Sequence, residues 1–178
     1  MSINSSKIVE RHLANVLTHD SHLKPGGFIE LHDYNLPAKI IDDFPEDQCH
    51  FIINNGYIKD AMKSIGTNLE APKQWKEQLE EAGFTNIHVK WFNWPMGPWA
   101  KGKKNKVLGK LTWSNFYEGI HTVAPLLAKV RGWDEAQKQE YVDNVQAEMQ
   151  EGKIHVYVVV GYWYAQKPKL SPVVETVA

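Results

Sequence analysis

Apolar side chains recur at helical spacing in several parts of the chain. The stretch SSKIVERHLANVLTHDSHL predicts a helix with a serine N-cap, and APKQWKEQLEEAG predicts another with Gly83 as its stop. Helical periodicity from about 104 to 130 predicts a long helix, with a break or kink at Gly119 and Pro125. Asp134 is placed to cap a further helix, DEAQKQEYVDNVQAEMQEG.

Three other segments predict strands. GFIELHDY follows the turn at Pro25, and FTNIHVKWFN alternates apolar and polar residues. KIHVYVVVGYWYAQK is apolar almost throughout, which predicts a strand in the centre of a sheet. Because helices and strands alternate along the chain, the pattern predicts an α/β fold with about three strands.

The composition narrows the class of protein. A chain of 178 residues that is 43% hydrophobic is large enough to build one core, and its net charge of -1 argues against a broad basic surface for nucleic acid. Cys49 has no second cysteine to pair with, which fits a reducing compartment. The longest apolar stretch, 156–165, is about half of the roughly 20 residues that span a bilayer. We therefore expect a soluble, cytoplasmic protein without a membrane or nucleic-acid partner.

The end of the first strand carries the densest group of polar side chains. His32 beside Asp33 provides a candidate general acid or base near neutral pH, with Glu30 and Tyr34 as candidate substrate contacts. Strand alternation places His32 and Asp33 on opposite faces of the sheet. The alternative is that these groups only hydrogen-bond the backbone of a loop.

The segment WFNWPMGPW concentrates large apolar side chains around two prolines. Pro95, Gly97 and Pro98 predict an irregular loop that contains Trp94, Met96 and Trp99. Together with Trp91, these side chains would form a wall or lid for a carbon-rich substrate. The alternative is a loop that packs these side chains into the core.

Helical spacing places Trp113, Tyr117 and His121 on one face of the long helix. Trp113 is a candidate substrate contact, and Tyr117 and His121 are candidate catalytic groups that would donate hydrogen bonds to a substrate carbonyl. The alternative is a structural role for the histidine. The pair His19 and His22 is only part of a metal-ligand set, so no metal site is predicted.

Taken in order, these segments resemble a known family. LKPGGFIELHD, WKEQLEEAGFTNIHVKWFNWPMGPWAK, EGIHTVAPLLAKVRGW and IHVYVVVGYWYAQKP are similar to the C-terminal half of class I S-adenosylmethionine-dependent methyltransferases, particularly the fungal LaeA-like group of secondary metabolism. The resemblance implies a truncated methyltransferase-like fold with a mixed sheet of about three strands. It also implies one domain over 1–168, with a helical substrate-cap insert at about 94–151 and a tail at 169–178.

By the same resemblance, the usual binding site of the family's cofactor, S-adenosylmethionine, is missing from this sequence. The family binds it at a glycine-rich loop after the first strand, and no such G-x-G-x-x-G loop follows a strand here. The family's first four strands would precede Met1, so we expect no cofactor, with S-adenosylmethionine as the alternative. The edge of the GFIELHDY strand would then be bare, which predicts a homodimer, or a partner chain that supplies the missing strands.

Three functions follow from these observations. The first is a cofactor-independent enzyme of fungal natural-product biosynthesis, of polyketide or terpenoid type. It would use an aromatic pocket to promote a cyclisation such as a [4+2] cycloaddition, or an isomerisation or dehydration. The second is a methyltransferase that is a fragment or is completed by a partner chain, and the third is a non-catalytic binding protein.

Overall fold

The computed structural model describes residues 23–42 and 49–169. Its elements are β1 (Phe28–Ile40), α1 (His50–Ser64), a 3₁₀ turn (Ala71–Gln74), α2 (Trp75–Glu81), β2 (Thr85–Met96), α3 (Lys103–Arg131), α4 (Glu135–Glu151) and β3 (Val156–Gln166). The predicted α/β class with three strands is confirmed. The expected N-terminal helix, the His19–His22 pair and the tail after 169 lie outside the described residues.

The strand predicted to be central does lie in the middle, in the order β1–β3–β2. Both neighbours pair with it antiparallel, so the sheet is not mixed as the resemblance implied. The reason is the connection before β3. Helices α3 and α4 form a hairpin that leads the chain out and back, and Val156 therefore begins opposite Met96, where β2 ends.

Alternate residues of β3 pack against helices on opposite faces of the sheet. Val156, Val158 and Val160 contribute to the larger core, together with residues of α1, α3 and α4. Trp163 and Ala165 point to the other face and form a smaller core with α2. The period-2 alternation of a strand thus produces three layers, with the sheet in the middle.

Strand β2 is longer than its sequence predicts. Its pairing continues through Trp94 and Pro95 to Met96, whereas the irregular loop was expected to begin at Trp94. A proline is tolerated here because β2 is an end strand of the described sheet and pairs on one side only. Trp94 and Met96 are thereby held on the sheet, and the loop begins at Gly97.

The two helices of the hairpin differ in how well their sequence predicts them. Helix α3 does not end at Gly119 or Pro125, where a break or kink was predicted, because its buried face, which includes Ala124 and Leu127, packs against neighbouring elements. Helix α4 begins as predicted. The Asp134 carboxylate accepts a hydrogen bond from the Gln137 N–H at 2.8 Å, as the Asp134–Gln137 capping box requires.

Strand β1 is the other end strand of the described sheet. Its apolar residues are partly exposed: Phe28 is 49% exposed and stacks on Tyr164 of β3 at 4.8 Å between ring centroids. The prediction that apolar residues of this strand lie close to water is confirmed for Phe28.

Candidate functional site

A cavity of about 540 Å³ opens where β2 and β3 meet the helical hairpin. Its walls are mainly apolar, formed by Met96, Trp99, Trp113, Met149, Ile154 and Val156. This combination of aromatic and thioether side chains suits a carbon-rich small molecule. We call it the tryptophan cavity.

Both tryptophans of the cavity are fixed by hydrogen bonds to the backbone. The Trp99 indole N–H donates to the carbonyls of Met96 and Val156, at 3.2 Å each. The Trp113 indole N–H donates to the Met149 carbonyl at 3.0 Å. Because these polar atoms are already paired, the rings offer rigid apolar surfaces to a ligand.

A hydrogen-bonded pair, Asp42 and His155, lies beside Trp99. His155 packs against the Trp99 ring at 5.2 Å, and its backbone N–H donates to the Asp42 carboxylate at 2.6 Å. The His155 ring also contacts that carboxylate, at 2.9 Å. These hydrogen bonds from His155 lower the pKa of Asp42. The pair helps to hold the Trp99 side of the cavity in place.

Among the described residues, four polar side chains line the cavity, and two of them already have hydrogen-bond partners. Gln150 donates from its amide to the Tyr117 hydroxyl at 2.6 Å. Glu148 accepts from the backbone N–H groups of His50 and Phe51, at 3.1 and 2.6 Å. The other two, Lys110 and Ser114, stand one turn apart on α3.

Glu148 supports the cavity and is not positioned as a catalytic base. Its carboxylate also accepts a bond from the Cys49 thiol at 3.4 Å, so it caps the start of α1 from α4. Burial, with the nearby Glu148 charge, raises the pKa of Cys49 to about 11. The thiol is therefore neutral at physiological pH and unsuited to nucleophilic chemistry.

The structure brings three of the predicted substrate contacts together. Met96, Trp99 and Trp113 line the tryptophan cavity. Tyr117 stacks on Trp113 at 4.5 Å, on the predicted shared helix face, and is not among the lining residues. His121 lies a further turn along and contacts Gln146 at 3.0 Å.

Other predicted contacts surround a second, shallower groove of about 800 Å³ on the sheet. Glu30 and Trp94 line this groove. Tyr34 packs edge-on against Trp94, at 6.2 Å between ring centroids. Trp91 points to the opposite face, where it packs edge-on against Trp163 at 4.9 Å. The predicted substrate contacts are thus divided among three places.

The proposed acid–base pair of β1 lies outside the tryptophan cavity. His32 contacts Glu30 at 2.7 Å and leans on Tyr162, whereas Asp33 is paired opposite Gly161. Adjacent strand positions put their side chains on opposite faces, so they cannot act on one substrate atom. Burial raises the pKa of Asp33, although the hydrogen bond from the Tyr34 N–H acts against this. Their catalytic roles stay predictions.

Sequence reasoning missed several residues of the cavity. Lys110 stands three residues before Trp113 and four before Ser114, so the helical spacing from Lys110 contained a signal for this face. Phe51, Glu148 and Met149 gave no such signal, because α1 and α4 meet only in the folded chain.

The glycine-containing turn from β2 to α3 is filled by the protein itself. The turn from β2 to α3 contains Gly97 and Gly102, but the Gly97 N–H donates to the Gly109 carbonyl at 3.0 Å. Helix α3 lies so close there that a Cβ on Gly109 would fall 2.0 Å from the Gly97 oxygen. The space beside the Gly97 carbonyl is therefore occupied by α3. The connection from β1 to α1 includes residues 43–48, outside the described part.

The described part of the chain comprises residues 23–42 and 49–169. Within them, no group of three or more histidine, cysteine or acidic side chains is placed to hold a metal ion. None of the described helices is both long and apolar enough to cross a bilayer.

Comparison with known proteins identifies fungal relatives. The chain is 29% identical over 149 residues to the probable methyltransferase tdiE of Emericella nidulans, covering 83% of this chain and 47% of that protein. It is 30% identical to the methyltransferase pytC of Aspergillus terreus, covering 83% and 46%. It is 28% identical to the secondary metabolism regulator LAE1 of Cochliobolus heterostrophus, covering 84% and 50%.

These relatives confirm the predicted resemblance to fungal methyltransferase-like proteins. The chain spans about half the length of the curated relatives it matches. No protein-family model matches it. Among solved structures, it is similar to a phosphoethanolamine N-methyltransferase of Haemonchus contortus with a TM-score of 0.40 and 17% identity, covering 94% of this chain and 31% of that one.

Proposed function

We propose that this chain binds a carbon-rich small molecule of fungal secondary metabolism in the tryptophan cavity. The observation that carries the proposal is the pair of backbone-anchored rings, Trp99 and Trp113, at a cavity of about 540 Å³. Rigid aromatic walls bind apolar ligands at a small cost in side-chain entropy. The similarity to tdiE and pytC, which are both named as methyltransferases, supports a binding role that evolved from a methyltransferase.

The chemistry we favour is a cofactor-independent intramolecular cyclisation, such as a [4+2] cycloaddition. Two new carbon–carbon bonds form from the π electrons of one substrate, and no atom enters or leaves. Such a reaction requires mainly that a flexible chain be folded into a reactive conformer, which rigid walls promote. An isomerisation or dehydration is a close relative that would also need a proton carrier.

We place this activity in the cytoplasm, where the free thiol of Cys49 stays reduced.

Methyl transfer is the second candidate, and the names of two relatives favour it. It requires a cofactor site formed by residues outside the described part of this chain or by another chain. A non-catalytic binding role is the third candidate and would use the same cavity.

The cavity itself is tested with Nile red, a neutral dye that fluoresces in apolar sites. We expect Trp113→Leu to weaken dye binding by about fivefold or more, because it removes aromatic contact area. Trp91→Leu is the matched control, since Trp91 is 44% exposed and lies outside the cavity. Equal affinities in the two variants would contradict the proposed site.

Two experiments separate the candidate reactions. Calorimetry with S-adenosylmethionine should show no tight binding to this chain if cyclisation is correct, and micromolar affinity would favour methyl transfer. Deleting the gene should cause an uncyclised precursor to accumulate, whereas an unmethylated precursor would identify the second candidate. Unchanged metabolites would leave the non-catalytic role.

We also propose that a second copy pairs with the outer edge of β1. Glu30 and His32 lie on the same face of β1, one residue before and one residue after Leu31. When two β1 strands pair antiparallel about a two-fold axis at Leu31, each Glu30 lies opposite His32 of the other copy. Light scattering should then give the mass of a dimer, and Phe28→Lys should shift it toward monomer. Phe92→Lys on β2, where Phe92 is 45% exposed, is the control. A monomeric parent protein would refute this pairing.

A further inference from the structure

The polar groups of the tryptophan cavity are unevenly distributed. On α4, the Gln150 amide donates to Tyr117 and both Glu148 oxygens accept bonds from the start of α1. On α3, Lys110 and Ser114 line the cavity one turn apart. Among the described residues, neither of these two has a hydrogen-bond or ion-pair partner. The groups available to a ligand therefore lie on one side.

These two groups recognise a particular chemistry. A lysine ammonium donates up to three hydrogen bonds and a serine hydroxyl adds one more, so together they suit an oxygen-rich anion. The residues that α4 and β3 contribute to the lining include Met149 and Val156, which suit hydrocarbon. A ligand that fits both has an apolar body and one acidic end.

We infer that the ligand of the tryptophan cavity is an amphipathic acid, whose anionic oxygen group pairs with Lys110 and Ser114 while its carbon-rich body lies against Trp99 and Trp113. The inference rests on the proposed binding function and adds the class of ligand. The acidic group is a carboxylate or an ionised enol, since both present a negatively charged oxygen. Lys110 and Ser114 would fix the direction in which the ligand lies in the cavity.

Among the described residues, no neighbouring carboxylate balances the positive charge of Lys110. Some lysines of the described chain are neutralised locally, as Lys138 is by Glu135 at 2.7 Å and Lys153 by Glu151 at 2.9 Å. Lys110 has no carboxylate within ion-pair distance among the described residues. Since the Lys110 side chain is exposed, water and salt weaken its attraction for an anion, and the expected effect is moderate.

The test uses calorimetry at neutral pH to compare two probes with the same twelve-carbon chain, the ionised dodecanoic acid and the uncharged dodecan-1-ol. We expect the parent protein to bind the acid about threefold to tenfold more tightly, as an exposed charge-assisted contact would give. Lys110→Gln should remove this preference and leave the affinity for the alcohol unchanged. Lys110→Arg should retain it, and added salt should weaken acid binding only.

Lys106→Gln is the matched control, because Lys106 stands one turn earlier on α3 and does not line the cavity. It should keep the preference for the acid. If acid and alcohol bind equally, or if Lys106→Gln acts like Lys110→Gln, the assignment of an acidic ligand is wrong while the cavity proposal stands. If neither probe binds, the cavity proposal fails, and this inference fails with it.

Discussion

Replacing Gly109 by alanine should destabilise the protein by about 2 kcal/mol or more, although alanine is the better helix former. The reason is a backbone contact. A Cβ at position 109 would lie 2.0 Å from the Gly97 oxygen and 2.8 Å from the Gly97 carbonyl carbon. Backbone atoms cannot rotate aside, so α3 would have to move away from the loop that carries Trp99. Urea unfolding should show a lower midpoint, and Nile red should bind less tightly.

Gly119→Ala is the matched control, because it makes the same change in the same helix. Nothing lies within 4 Å of a Cβ at position 119, so this variant should be more stable by about 0.5–1 kcal/mol. The two substitutions thus have opposite expected signs. An alanine at 109 that leaves stability equal or higher would show that α3 and the Gly97 loop are not in contact in solution.

Local signals in the sequence predict most of the elements, because they depend on neighbouring residues. The Asp134 cap, the stop at Gly83 and the apolar run of β3 act within a few residues, and each is observed where the pattern placed it. The length of β2 and the unbroken course of α3 past Pro125 depend on packing against other elements. Local propensity does not contain that information.

The candidate site shows the same difference between what the local sequence predicts and what depends on the folded chain. The proline-rich WFNWPMGPW segment and the helical spacing of Trp113 indicated Met96, Trp99 and Trp113, and all three line the tryptophan cavity. The chemical type of a side chain alone, without its position in the fold, predicted the site residues less well. His32 and His121 have suitable side chains, yet strand and helix geometry direct them away from the cavity.

Removing the Glu148 carboxylate should have the second large effect, about 2 kcal/mol for Glu148→Ala. Helix α1 has no acidic residue in its first turn and no side-chain cap of its own. Glu148 supplies both, since its carboxylate accepts from the N–H groups of His50 and Phe51 and brings negative charge to the positive end of the helix dipole. Its loss would leave these donors without their acceptor and would separate α1 from α4 beside the cavity.

Glu148→Gln should cost roughly half as much, because one amide oxygen can still accept a hydrogen bond while the charge is lost. Glu140→Ala is the control on the same helix. Glu140 is exposed, so its removal should change stability by less than about 0.5 kcal/mol. Urea unfolding measures all three variants. If Glu148 caps α1, the loss of stability should be largest for Glu148→Ala, smaller for Glu148→Gln and smallest for Glu140→Ala. Equal losses for Glu148→Ala and Glu140→Ala would show that α4 does not hold the start of α1.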